Sequence, residues 1–167
     1  MSIGGFSKRS LIAPAIVMDA AERSARNADY LVTLEDVRVW ERRFGSEPNR
    51  SIVLLYSGWQ EKRDTPYTFL NLNSNGARHF PVFGMQAARF LIAECRIGGI
   101  EIDSHGVDSG QDQKFGVNGL ILEKPGIVLE NPTNLDQLPP TGTALAIGIL
   151  RLAGRTGSPA SVLALGP

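Results

Sequence analysis

One cysteine and two histidines are all that this chain of 167 residues has for thiolate or imidazole chemistry. Those shortages limit its reactions at the outset. Cys95 has no second cysteine to pair with, so an internal disulfide is excluded, and a reducing, cytoplasmic setting is the expectation. It closes the helical-looking run "GMQAARFLIAEC" (Gly84–Cys95), where a small buried hydrophobe competes with a reactive thiol as the reading. Net charge is absent as well: 17 basic residues balance 17 acidic ones. No overall field draws in nucleic acid or an anionic membrane, and neither is expected as a partner. Long apolar runs are also missing. The stretch "LIAPAIVM" (Leu11–Met18) has 8 residues and stops at Asp19, too short to cross a bilayer. It follows Lys8 and Arg9, yet no small-residue cleavage site succeeds it, so a strand is expected rather than a signal peptide.

What is present alternates between strand and helix signals. Ser2–Arg9 is mostly small and polar, and residues 1–10 are expected to form a flexible start, with one α/β domain over 11–167. "LIAPAIVM" predicts a buried strand, and Pro14 suggests an edge or a bend. In "TLEDVRVWERRFG" (Thr33–Gly45), Thr33 and Asp36 form a capping box and Gly45 closes the helix, with Trp40 on the apolar stripe. "SIVLLYSGW" (Ser51–Trp59) is a continuous apolar strand. The polar stretch from Gln60 to Phe80 predicts a long loop, and a helix follows from about Met85 to Cys95. "GGIEID" (Gly98–Asp103) is a strand, and "VNGLILE" (Val117–Glu123) is a short apolar segment. The run ending at Glu130 is another strand, while "TALAIGILRLAG" and "SVLALG" are two more around "GRTGSP". This alternation implies an α/β domain with a mixed β-sheet and flanking helices. Ser57–Trp59, Asp103–Asp112 and Glu130–Asn134 all fall at strand ends, where open α/β sheets bind ligands.

Several spaced blocks resemble the cyclase family, which includes kynurenine formamidase and isatin hydrolase. They are "APAIVMDAAERSARNADYLVTLEDVRVWERRFG", "IVLLYSGW", "RHFPVFGMQAARFLI", "GIEIDSHGVDSGQDQKFGVNGLILEKPGIVLENPTNLDQLPP" and "GSPASVLAL". The resemblance implies a swivelling β/β/α-like domain without its N-terminal portion. It also implies metal-dependent hydrolysis of amides, lactams or esters with zinc or manganese. The family's signature H-x-G-T-H-x-D-x-P-x-H does not occur in this sequence. Of the later ligands, a histidine and a glutamate twelve residues on, only Glu130 matches; Asn118 stands at the histidine position in "NGLILEKPGIVLE". An amide oxygen is a poor substitute for imidazole at zinc.

Two readings therefore compete for the site. In one, "EIDSHGVDSGQD" supplies a rebuilt metal centre from His105, an aspartate such as Asp103, and Glu130. In the other, that segment is a loop of ordinary turn residues. His79 suggests a packing or substrate-edge role, and Trp59 either core or a platform for a planar ligand. Ser57 and Ser158 lack a nearby histidine or a nucleophile elbow, which leaves Ser158 as a pocket candidate. Without metal, Glu130 would need backbone N–H groups of "NPTNL", Asn131 or Asn134, or Arg151 or Arg155 as partners. The expectation is a chain that keeps the fold for binding a small aromatic or amide ligand, or a protein. The alternative is a hydrolase with a rearranged site, or one completed by another chain. An uncovered sheet edge further implies a homo-oligomer.

Overall fold

The computed structural model describes residues 11–45 and 48–166; the expected flexible start lies outside them. Strand β1 (Ile12–Asp19) is followed by α1 (Ala21–Arg26), β2 (Leu31–Val32), α2 (Leu34–Phe44) and β3 (Ile52–Tyr56). Then come α3 (Pro66–Leu70), β4 (Val82–Phe83), α4 (Met85–Ala93), β5 (Gly99–Ile102) and α5 (Gly116–Leu122). Strands β6 (Ile127–Glu130), β7 (Thr143–Ile149) and β8 (Ala160–Leu165) complete the order.

Six strands form one mixed sheet in the order β6-β5-β3-β1-β7-β8. β1, β3, β5 and β6 run parallel, and β7 and β8 return antiparallel beside β1. The apolar runs of β3 and β5 are buried throughout, as expected of parallel strands covered on both faces. One face carries Ile16, Met18, Val53, Leu55, Ile100 and Ile102 against α2, α4 and α5. Burial of each such side chain contributes roughly 1.5–3 kcal/mol. The opposite face carries Ala15, Val17, Ile52, Leu54, Leu145 and Ile147. Leu135, from the short 3-10 turn Leu135–Gln137, and Leu138 pack there, and no described α-helix contributes to this cluster.

Helix α2 forms for the reasons its sequence states. The Thr33 side chain accepts from Asp36 N–H while the Asp36 carboxylate accepts from Thr33 N–H, and Gly45 ends the helix at φ 58°. Trp40 is buried and donates its indole N–H to the Val17 carbonyl at 2.7 Å.

Two local expectations need correction, and two elements go beyond the expectations. β1 is central rather than an edge; Pro14 is tolerated because it pairs only with β7, the β3 register starting at Ala15. The predicted loop from Gln60 to Phe80 holds a 3-10 turn (Trp59–Lys62), α3 and an isolated bridge between Leu72 and Arg78; a proline at the first turn of α3 pre-sets its backbone. The "VNGLILE" segment is α5, whose helical start is supplied by a distant carboxylate. The short parallel pair β2–β4 was not expected at all, because two-residue strands leave no periodicity.

Candidate functional site

The carboxyl ends of β3, β5 and β6 lie side by side, and polar residues gather where the chain leaves them. Asp103, just past β5, is fully buried. Its Oδ1 accepts from Ser57 N–H at 3.0 Å and the Ser57 hydroxyl at 2.5 Å, and its Oδ2 from Gln60 N–H at 3.2 Å. Burial raises its pKa, and these hydrogen bonds to Ser57 and Gln60 oppose the rise. Asp103 therefore ties the end of β3 to the end of β5, and its oxygens face the protein's own donors.

Two residues further on, His105 lies between rings, with centroids 4.4 Å from Phe69 and 5.1 Å from Phe80. Its Nε2 is 2.7 Å from the Phe69 carbonyl. A carbonyl only accepts, so this nitrogen carries the proton. Desolvation lowers the imidazole pKa; the Phe69 hydrogen bond opposes that shift and nearby Arg78 adds to it. Trp59 is 1% exposed and donates its indole N–H to the same Phe69 carbonyl at 3.0 Å, with Lys62 Nζ 3.4 Å over its ring. Trp59 thus sits in the core and lines neither cavity described below. His79 is also placed apart: Nδ1 meets Asp29 Oδ2 at 2.7 Å and Nε2 meets Asn73 Nδ2 at 3.1 Å.

Asp108 serves α5. Its carboxylate accepts from Val117 N–H at 2.6 Å and Asn118 N–H at 2.9 Å, satisfying donors that a helix start leaves open. Asp112 accepts from Lys114 and Gly116 N–H groups, and these bonds lower its pKa. The pair holds the N-terminal turn of α5, and so Asn118, in place.

Glu130 differs from the other acids. The turn N–H of Asn131 donates to the Ile102 and Ser104 carbonyls at 3.0 and 3.3 Å, and Arg63 clamps the Asn131 and Pro132 carbonyls at 2.6 and 3.1 Å. Two of the turn donors expected to meet Glu130 are thus engaged elsewhere, the Asn131 N–H here and the Leu135 N–H on Gln60 Oε1. No hydrogen bond reaches its carboxylate among the described residues. Desolvation raises its pKa, with repulsion from Asp108 adding to it. Gly106 makes room for the carboxylate, since a Cβ there would lie 3.2 Å from Glu130 Oε1.

Two cavities meet at Glu130 and Asn118. One, of about 400 Å³, is lined by His105, Gly106, Asp108, Phe80 and Phe115 as well. The other, of about 800 Å³, lies against the helix-free sheet face and includes Leu54, Glu101, Leu129, Leu145 and Ser158. Ser158 is half-buried, accepts from Leu150 N–H at 3.3 Å and donates to the Pro159 carbonyl at 3.0 Å. The fold thus brings Glu130 and Asn118 to both cavities, with His105 in the smaller and Ser158 in the larger, and places Trp59 and His79 in the lining of neither.

Glu101 escaped sequence reasoning. It points from the middle of β5 onto the helix-free face, flanked in register by Leu54 and Leu129. It is 1% exposed, and its Oε2 has no hydrogen-bond partner. Burial pushes its pKa up to about 7. The available signal was a lone carboxylate in the apolar run "GGIEID".

A zinc or manganese ion finds a poor donor set here. Among the described residues no group of three His, Cys, Asp or Glu side chains is placed to hold a metal. His105 Nε2, Asp103 and Asp108 already face protein partners, and Asn118 offers an amide, so the residues described do not fit such an ion by themselves. No described helix is long and apolar enough to cross a membrane.

The family model described as "Putative cyclase" matches residues 2–109. An isatin hydrolase of Roseibium aggregatum is 30% identical over 161 residues, covering 94% of this chain and 60% of that protein. The solved isatin hydrolase A of Labrenzia aggregata, bound to benzyl benzoate, superposes with a TM-score of 0.93 at 31% identity, over 99% of this chain and 65% of that one. The isatin hydrolase A of Ralstonia solanacearum gives 0.94 at 30% identity, over 99% and 64%. The chain thus spans less than two thirds of the length of these relatives. With the fold, the family model and the strand-end blocks in agreement, this chain belongs to the cyclase family.

Proposed function

We propose that this chain binds a small aromatic or amide molecule at the carboxyl ends of β3, β5 and β6, and by itself does not hydrolyse it. The supporting observation is Glu130: it stands open toward two cavities while the residues around it lack a ligand set for a divalent ion. A binding pocket with apolar walls and a few convergent polar groups suits such a ligand. The protein acts in the cytosol as a homodimer, with a neighbour's strand against its open sheet edge.

A second reading has its own support. The relatives at 30–31% identity are isatin hydrolases, and an unengaged Glu130 is what a site completed by another chain would need. One experiment separates the two. Metal content of the purified chain is measured, with hydrolysis of isatin and N-formylkynurenine and calorimetric titration with isatin. Binding without turnover and without stoichiometric metal supports the first reading. Tightly held zinc or manganese, with turnover lost in Glu130→Ala, overturns it in favour of the second.

A further inference from the structure

A third cavity, of about 230 Å³, lies between α2 and the carboxyl ends of β1 and β3, and neither Glu130 nor Asn118 lines it. Val39, Trp40, Arg43 and Phe44 form one wall, as their spacing on one face of α2 allows, and buried Met18 and Leu55 form the sheet side. Charges of both signs stand at its rim. Asp19 accepts from Ala21 N–H at 2.9 Å and Asp136 from the Gln60 side chain at 2.6 Å, each through Oδ1. Their Oδ2 atoms have no hydrogen-bond partner among the described residues. Both carboxylates bear on Tyr56, which also lines the cavity. Burial raises the Tyr56 pKa to about 12, with its Glu61 hydrogen bond and the Asp136 and Asp19 charges adding to the rise. Arg43 Cζ lies 5.3 Å from the Phe44 ring centroid, and its guanidinium makes no ion pair or hydrogen bond among the described residues. The other guanidinium on this cavity, Arg23, is held by Asp36 at 2.5 Å.

Opposite charges that line one cavity without pairing leave a gap that a ligand carrying both can bridge. Each is already oriented by a neighbour, which reduces the ordering that binding costs. A phosphate would face two carboxylates, and a divalent ion lacks three acidic or imidazole groups placed to hold it among the described residues. We propose that this cavity binds a zwitterion, an α-amino acid with an apolar side chain. Its ammonium meets Asp19 and Asp136, its carboxylate meets Arg43, and its side chain rests against Met18, Trp40 and Leu55. The site is distinct from the one proposed above and does not depend on it. It is a binding role, with no bond made or broken.

The probes are L-leucine, 3-methylbutylamine and 4-methylpentanoate; the last two keep the leucine body but carry only its positive or only its negative end. Dissociation constants are measured by calorimetry on the full chain at neutral pH. The variants are Arg43→Gln and the double change Asp19→Asn with Asp136→Asn, all at exposed positions, and thermal melts establish that each folds. The wild type is expected to bind L-leucine about tenfold or more tightly than either analogue, the scale of one charged hydrogen bond. Arg43→Gln and the double variant should each weaken L-leucine by about tenfold. Absence of L-leucine binding at millimolar concentration, equal binding of the three probes, or an affinity unmoved by either variant overturns the proposal. Each of those results leaves the reading built on Glu130 standing, because its cavities are not the ones probed.

Discussion

Asp103 accepts both the backbone N–H and the hydroxyl of Ser57, at 3.0 and 2.5 Å, across 46 residues of sequence. This link joins the ends of the parallel strands β3 and β5, from which the loops toward the candidate site depart.

Asp103→Ala is expected to destabilise the protein by about 2–4 kcal/mol, because it strands buried donors of Ser57 and Gln60. Asp103→Asn, which keeps one acceptor, costs about half as much. Urea denaturation checks both values. A loss below about 0.5 kcal/mol for the alanine variant would contradict the linking role.

Glu101 makes stability depend on pH. Its carboxyl is raised from 4.5 to about 7 by burial, so between those values the folded state holds a proton that the unfolded state releases. Stability therefore falls as pH rises through this window, by roughly 3 kcal/mol in all. Glu101→Gln should flatten this part of the curve. Denaturant midpoints from pH 4.5 to 8 test it, and a wild-type curve that rises through the window refutes it.

Removing the remote cap of α5 tests how Asn118 is positioned. Asp108→Ala leaves the Val117 and Asn118 N–H groups without their acceptor, and a loss of about 1–2 kcal/mol is expected. Amide exchange should quicken first in α5. Uniform exchange across the fold would point to a global effect instead.

Strand β8 borders the sheet with Leu163 and Leu165, 62% and 59% exposed. Open apolar edges recruit further strands. Light scattering at micromolar concentration is expected to give a dimer, and Leu163→Lys with Leu165→Lys a monomer. A wild-type monomer would remove β8 as an interface.

Local chemistry was plain in the amino-acid order. The Thr33–Asp36 box, the Gly45 stop and the apolar runs of β3 and β5 need only neighbouring residues to be recognised. The blocks shared with the cyclase family are likewise legible along the chain. Tertiary structure alone decided which groups the strand ends bring together. It turned Asp103 and Asp108 inward to serve backbone donors, set Trp59 and His105 on the Phe69 carbonyl, and placed Pro14 where only one side of a central strand is paired. It also buried a carboxylate of "GGIEID" and left its Oε2 without a hydrogen-bond partner. The physical reason is that a hydrogen bond or a buried charge depends on distance and solvent exclusion between residues far apart in sequence, and neither quantity exists until the sheet has closed its register.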